Sequence, residues 1–437
     1  MLRYILRNEF FGGLLYDRTT MQYIHLDHLS VAMLANPEKP FAFYAAIDPT
    51  AEPSDVDYIT SFFHEMGISS ETVESLNNEV VEGSLSAPTR VFFDYTYYCP
   101  EKCKHCFTNS GYKREQELSF EQKTAIVDQL VEIGCYRISV AGGEPLADKT
   151  FISFVRYCKE KGVDVSLSTS GIPSTKSLAH ELSALDVRTI NISLDGWDAA
   201  SYDCVRGEGR FDLMRKRVAT LRKHYRGKLA AKVTLMTTNI HNLRDIIHTA
   251  REMELDVVKF NCVREAGRAE DNSSLVPSRA EYIEAMQELA KIKYEYEQDE
   301  SSLGITLSLP VNPYSYSEEG GIQSTSSIES LGFGCYAGKE SFCISPIGEI
   351  QPCSAFGPGN YSDGLVTEHS IQEVWREGNA LNAFRALTGD ESCHECPSYS
   401  ACKGGCHLRS LYATGKLDGL DPYCFEHDVQ PIAITTV

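Results

Sequence analysis

The sequence predicts an α/β protein in three parts: a small β-rich unit, a parallel α/β sheet and a cysteine-rich C-terminal unit. Three observations carry this. Strand-like and helix-like segments alternate from about residue 90 to 298. Short β-branched and aromatic stretches separated by turn residues occupy the first 85 residues. Of 15 cysteines, three stand between Cys99 and Cys106 and eight between Cys335 and Cys424. A chain of 437 residues suits two or three domains rather than one.

In the first unit (1–85), strands are expected at 4–7, 12–17 and 22–26 around the turn Asp17-Arg-Thr-Thr20, a three-stranded sheet. Helices follow at 27–34, with Leu26, Leu29, Val31 and Leu34 on or near one face, and at 54–66. The polar stretch 77–90, with Gly83 and Pro88, reads as a linker. In the second unit (90–298), strands are expected at 90–97, 136–140, 164–169, 189–193, 229–236 and 257–262. Helices are expected at 119–133, 150–161, 174–185, 211–224, 242–253 and 278–297. Such alternation argues for a parallel sheet with right-handed crossovers, and it places reactive groups where the loops leave the carboxyl ends of the strands. Residues 299–334 read as a bridge with one strand at 304–309 and a Ser- and Gly-rich loop, either solvated or closing over substrate. The cysteine-rich unit spans 335–437. No repeat of 20–50 residues is present.

Charge and hydropathy exclude whole classes. With 41 basic against 61 acidic residues and a net charge of −20, a generic nucleic-acid binder is excluded. No apolar run approaches the ~20 residues of a membrane span. The opening stretch breaks at Arg7, Asn8 and Glu9, so no signal segment is expected and the protein reads as cytoplasmic.

The chemistry begins at Cys99, Cys103 and Cys106. Three thiolates at CxxxCxxC spacing on a loop after a strand can take three corners of a 4Fe–4S cube and leave the fourth iron open to a chelating ligand. A zinc knuckle is the rival reading, although zinc sites more often pair CxxC units. The spacing resembles the radical S-adenosylmethionine (SAM) superfamily, in which the open iron binds SAM. The six βα units then imply that superfamily's partial (βα)6 TIM barrel. Ala141-Gly142-Gly143-Glu144-Pro145 after the second barrel strand resembles the family segment that holds the SAM ammonium, since glycines admit close backbone approach and a carboxylate complements a cation. Ser168 and Ser170 end the third strand where relatives carry Thr-Asn-Gly, and Ser193 ends the fourth as a hydroxyl partner for SAM. Asp195 caps or orders that loop. Arg206, in a stretch matching Arg-Gly-x-Gly-x-Phe, binds the SAM carboxylate or forms a structural ion pair. The Ala266-Gly-Arg-Ala269 segment also matches the family, with no assigned role. No side chain is assigned a catalytic role, because the radical comes from SAM.

The C-terminal cysteines read Cys335, Cys343, Gly348-x4-Cys353, then Cys393-x2-Cys396-x5-Cys402-x3-Cys406-x17-Cys424. Disulfides are disfavoured in a reducing compartment, while paired zinc ribbons stay open. The spacing resembles the SPASM domain, which holds two auxiliary 4Fe–4S clusters. Carried over residue by residue, the resemblance puts Cys335, Cys343, Cys353 and Cys406 on one cluster and Cys393, Cys396, Cys402 and Cys424 on the other. Cys135, Cys158, Cys204 and Cys262 read as core thiols.

The first unit, with its Phe11-Gly-Gly-Leu-Leu-Tyr-Asp17 turn, resembles the small winged-helix-like recognition domain of enzymes that mature ribosomally made peptides; a generic capping domain is the other reading. Leu417-Asp-Gly-Leu-Asp-Pro422 resembles mycofactocin- and sactipeptide-type maturases. The resemblance implies a radical SAM/SPASM oxidoreductase with three 4Fe–4S clusters and SAM. Its partners would be a precursor peptide and an external flavodoxin- or ferredoxin-type electron donor, and its product a thioether, a carbon–carbon crosslink or an oxidative decarboxylation. The alternatives are a protein-modifying enzyme such as a sulfatase maturase and a non-catalytic iron–sulfur electron carrier.

Overall fold

The computed structural model describes residues 2–298, 303–307, 314–317, 321–324 and 334–427. At the N-terminus β1 (Tyr4–Glu9), β2 (Gly12–Asp17) and β3 (Gln22–Asp27) form an antiparallel meander. A short fourth strand, β4 (Val73–Ser75), pairs in parallel with β1, giving the order β3-β2-β1-β4. The sequence predicts only three strands here. Three residues are too few to show an alternating pattern, so β4 exists through its partner.

Asp27 caps α1 (His28–Ala35) by accepting from the Ser30 amide; α2 (Phe41–Ala45) and α3 (Pro53–Met66) follow. Strand alternation gives this sheet two different faces. Tyr4, Leu6, Leu15 and Leu26 pack into a local core with Leu29, Met33, Ile59 and Phe63. Ile5, Leu14 and Tyr16, on the other face, belong to the core of the neighbouring barrel, and the Tyr16 ring stacks 4.8 Å from that of Tyr136.

Residues 77–90, expected as a linker, are strapped down. The Ser86 amide donates to Glu9 at 2.7 Å, and Trp375 Nε1 donates to the Leu85 carbonyl at 2.8 Å. Arg7, 1% exposed, pairs with Glu9 at 2.6 Å and donates to the carbonyls of Ala87, Pro88 and Gly134. A buried ion pair is tolerated only with its remaining donors satisfied, and here they tie the first unit to the second.

The central sheet holds β5 (Arg90–Asp94), β6 (Arg137–Ala141), β7 (Asp164–Thr169), β8 (Thr189–Ser193), β9 (Lys228–Leu235), β10 (Val257–Cys262) and β11 (Gly304–Leu307), parallel and in sequential order. Helices α4 (Phe120–Glu132), α5 (Phe151–Glu160), α6 (Lys176–Ala184), α7 (Ala199–Arg206), α8 (Arg210–His224), α9 (Leu243–Glu252) and α10 (Arg279–Gln298) fill the crossovers. Each forms for a local reason: Ser119 and Gln122 close a capping box at α4, and Leu243, Ile246, Ile247 and Ala250 give α9 one buried face. The strand at 304, expected within a bridge, is the barrel's edge beside β10. Beyond it, β12 (Tyr314–Ser317) and β13 (Gly321–Ser324) pair antiparallel. Most of the rest of 299–334, with the loop read as either solvated or closing over substrate, lies outside the described residues.

Along each barrel strand the outer residues, among them Val91, Phe93, Ile138, Val140, Leu167, Ile190, Val233 and Phe260, are buried under the helices. Most of the alternate residues are polar, among them Ser139, Ser166, Asn191, Lys232 and Lys259, with Phe92 of β5 an apolar exception. Ser166 donates to Ser139 at 3.0 Å, and Lys259 to Asn191 at 2.9 Å. The barrel therefore has an open polar lumen in place of a packed one.

The C-terminal unit extends the same sheet. β14 (Ser341–Ile344) lies parallel to β5, pairing Cys343 with Phe92, and β15 (Ile350–Gln351) returns beside it. Helices α11 (Ile371–Glu377), α12 (Asn379–Ala386), α13 (Tyr399–Cys402) and α14 (His407–Thr414) complete the unit. Among the described residues no helix is long and apolar enough to cross a membrane.

Candidate active site

The loop carrying Cys99, Cys103 and Cys106 leaves the carboxyl end of β5. Glu117 ties down its start, accepting from Thr96 Oγ1 at 2.8 Å and from the Tyr97 amide at 3.0 Å. The glycines at the end of β6 stack directly beneath. A Cβ on Gly143 would collide with the Tyr98 carbonyl and one on Gly142 would meet the Thr96 carbonyl at 2.8 Å, while the Gly143 and Glu144 amides donate to those carbonyls. The Gly-Gly pair is thus required by close approach of two loops.

Arg268, in the segment without an assigned role, clamps the loop from the other side. Its Nε donates to the Cys103 carbonyl at 2.9 Å, its Nη1 to the Ser110 carbonyl at 2.7 Å, and its amide to the Cys106 carbonyl at 3.0 Å. Next to it, a Cβ on Gly267 would meet the Phe107 carbonyl at 2.5 Å. The only signal for this clamp in the sequence is an arginine after a glycine at the end of a strand.

Glu144 is 1% exposed and accepts from Thr169 Oγ1 at 2.7 Å, the Ser170 amide at 2.8 Å, Ser170 Oγ at 2.6 Å and the Leu146 amide at 3.2 Å. Burial pushes its carboxyl up in pKa, and these donors pull it back. Ser170, placed in the SAM pocket by the sequence, braces Glu144 between the ends of β6 and β7. Ser168 and Ser193 face the lumen with no side-chain partner among the described residues.

Asp195, fully buried, accepts from the Thr234 amide at 2.7 Å, pairs with Arg206 Nε at 2.6 Å and stands 3.3 Å from His105 Nε2. Arg206 also points Nη1 at Cys103 Sγ, 3.6 Å away. Burial works against the Asp195 charge, yet Arg206 and the Thr234 amide hold its pKa below the usual carboxylate range. His105 is pushed down to about 4 by burial, so its ring is neutral. Arg206 and Asp195 form an ion pair beside the cysteine loop.

The thiols fit a metal cluster. Burial, with Cys103 and Cys106 among the neighbouring groups, pushes Cys99 up to about 12. Such thiols ionise only with a cation between them, which iron supplies. The C-terminal cysteines fall into two groups. Cys335, pushed up to about 12 by burial, has Cys406 and Cys353 as neighbours, and Cys343 has Cys353. Cys393, Cys396, Cys402 and Cys424 line one cavity with Gly404, Gly405 and Asp421. Asp421 spans both groups, accepting from the Cys406 amide at 2.7 Å and from Arg409 at 2.6 Å. Cys135, Cys158 and Cys262 are buried, while Cys204 is exposed and donates to the Ser201 carbonyl at 3.1 Å.

Between the cysteine loop and the C-terminal unit lies an open cavity of about 240 Å³, large enough for a side chain. Asp94, Tyr97, Phe107, Ser345, Gln351 and Tyr412 are among its lining residues. Burial pushes the Asp94 carboxyl up to about 6, against the pull of Arg264 and Lys232.

An open barrel with a three-cysteine loop at its mouth and two groups of neighbouring cysteines beyond has the donor set of an iron–sulfur enzyme. The Radical SAM superfamily profile matches residues 94–253, and the iron-sulfur cluster-binding SPASM profile matches 335–397. The chain belongs to the radical SAM superfamily and carries a SPASM domain. It is 27% identical over 351 residues to "Mycofactocin maturase MftC" of Mycolicibacterium smegmatis, covering 80% of this chain and 85% of the relative. It is 26% identical over 343 residues to "PqqA peptide cyclase" of Bradyrhizobium diazoefficiens, covering 77% and 86%. In structure it resembles Streptococcus suis SuiB bound to precursor peptide SuiA, with a TM-score of 0.70, 19% identity and coverage of 96% and 97%.

Proposed function

We propose that this enzyme matures a ribosomally made precursor peptide by radical SAM chemistry. The observation that carries the reading is a sheet with an open β3 edge built onto a barrel whose cysteine loop faces a cavity shared with the C-terminal unit. The relatives' names, a maturase and a peptide cyclase, support the substrate class.

Residues 1–85 would bind the leader by strand addition to β3, with Ile24 and the adjoining Val56 and Phe62 as apolar anchors. Residues 90–298 would form the radical SAM barrel, 299–334 the bridge and 335–437 the SPASM unit. Cys99, Cys103 and Cys106 would hold one 4Fe–4S cluster beside a SAM site made by Gly142, Gly143, Glu144 and Pro145 with Ser168, Ser170, Ser193 and Arg206. Cys335, Cys343, Cys353 and Cys406 would hold the second cluster, and Cys393, Cys396, Cys402 and Cys424 the third. When bound, SAM and its reduced cluster supply a 5′-deoxyadenosyl radical that takes a hydrogen atom from an unactivated carbon. The chain's own part is to fix the cysteine loop through Glu117, Arg268 and Asp195, to seat the peptide in the cavity, and to exclude water from it. An external one-electron donor of the flavodoxin or ferredoxin type and a reducing, cytoplasmic compartment complete the reading.

The test is co-expression with the small peptide encoded beside the gene, followed by mass spectrometry. A SAM-dependent loss of two hydrogens, or of carbon dioxide with hydrogen, is expected; an unchanged peptide mass overturns the reading. Because the back of the N-terminal sheet is part of the barrel core, Ile24→Asp tests the leader edge better than deletion does. It should weaken leader binding about tenfold while SAM cleavage without peptide stays at its starting rate.

A further inference from the structure

Every buried carboxylate described above is consumed by the fold, with one exception. Glu9 is taken by Arg7, Glu144 by Thr169 and Ser170, Asp195 by Arg206 and Asp421 by Arg409. Asp94 is only 7% exposed, and its carboxylate takes part in no hydrogen bond and no ion pair among the described residues. Its oxygens are not among the buried polar atoms left without a partner, so they open onto the cavity, and a carboxylate kept free there calls for an explanation outside the fold.

Its position supplies one. Asp94 is the last residue of β5, at the carboxyl end where barrel chemistry sits, and it lines the cavity between the cysteine loop and the C-terminal unit. The neighbouring strand is β14, which carries Cys343 of the nearer four-thiol group and pairs in register with β5 as far as Phe93. The carboxylate lines the cavity, and Cys343 stands on the adjacent strand as an electrostatic neighbour of Asp94. Lys232 and Arg264 attract the Asp94 carboxylate and oppose the upward push of burial on it.

We infer that Asp94 is the catalytic base that takes the proton from the peptide in the oxidative half of the reaction. This rests on the peptide reading above and assigns the residue that completes it. The balance closes in two steps. With SAM bound, a substrate C–H bond would break homolytically and its hydrogen atom would go to the 5′-carbon that SAM supplies. The remaining peptide radical would then lose one electron to the iron–sulfur acceptor that the C-terminal cysteines would hold, while Asp94 takes one proton, from carbon or heteroatom, on a carboxylate oxygen. The new bond forms as that proton leaves, and Asp94 returns the proton to solvent through the cavity. The peptide is oxidised by two electrons, of which one reduces the acceptor and one leaves with the hydrogen atom. A positioned base contributes roughly 10²–10⁴-fold to such a step.

Asp94→Asn tests this with wild-type holoenzyme alongside, using SAM, a chemical reductant and uniformly deuterated precursor peptide. If the wild type leaves the peptide unmodified, the substrate reading has failed before any variant is compared. Otherwise the Asn variant is expected to bind peptide with unchanged affinity, keep its iron content, and transfer deuterium into 5′-deoxyadenosine at a rate within threefold of wild type. Its modified product should fall at least tenfold, and Asp94→Glu should recover part of it. Product within tenfold of wild type overturns the assignment, as does loss of deuterium transfer together with product. Asp94→Ala gives an independent reading: added formate, small enough to enter the vacated space, should raise product at least tenfold, and no response overturns the proposal.

Discussion

Arg206 and Asp195 form an ion pair, Nε to Oδ2 at 2.6 Å, that is buried at the carboxylate and reaches the cysteine loop through the guanidinium's contact with Cys103. The pair joins α7 to the loop after β8 and carries the order of that loop across to the thiols. Removing one partner strands the other charge.

Asp195→Ala is therefore expected to cost about 3–5 kcal/mol of stability, read as a lower unfolding midpoint by calorimetry. Asp195→Asn, which keeps the hydrogen-bonding shape, should cost less. Equal midpoints for wild type and the Ala variant would show that the pair is dispensable.

Arg268→Ala removes the clamp on the Cys103 and Ser110 carbonyls. The fold should survive, since the guanidinium sits at the surface of the loop. Iron content after anaerobic reconstitution should drop by up to a third, about four irons of the ~12 that three cubes hold. Replacing Cys99, Cys103 and Cys106 together by Ala should remove that third outright and abolish SAM cleavage. A protein that is active with zinc alone would sink the cluster assignments.

Cys343→Ala should leave SAM cleavage intact while modified peptide falls at least tenfold. Cys343 is 5% exposed on β14, beside Cys353. Full product yield with unchanged iron would make it a core thiol.

Ser170→Ala removes one of four donors to Glu144 and leaves the Ser170 amide bond in place. A partly unsatisfied buried carboxylate costs about 1–3 kcal/mol. That cost should appear as a raised KM for SAM, measured by 5′-deoxyadenosine formation, with little change in peptide affinity.

The barrel strands, to within a few residues, the order of crossovers and the run of eight C-terminal cysteines were legible in the sequence alone. They were so because strand alternation, helical faces such as that of α9, and thiol spacing are local properties. The three-dimensional structure decided what non-local pairing decides. β4 is a strand only because β1 accepts it, and residues 304–307 join the barrel only because β10 is free to pair. The stretch 77–90 looks like a linker in composition, yet Glu9, Asn8 and Trp375 take up its polar groups. Arg268 and Ser170 acquired their parts in the same way, because the carbonyls and carboxylate they serve come from loops distant in the chain. Asp94 is the limiting case: within the sequence it falls inside the expected strand 90–97, and only the folded chain shows its carboxylate lining the cavity beside the C-terminal unit.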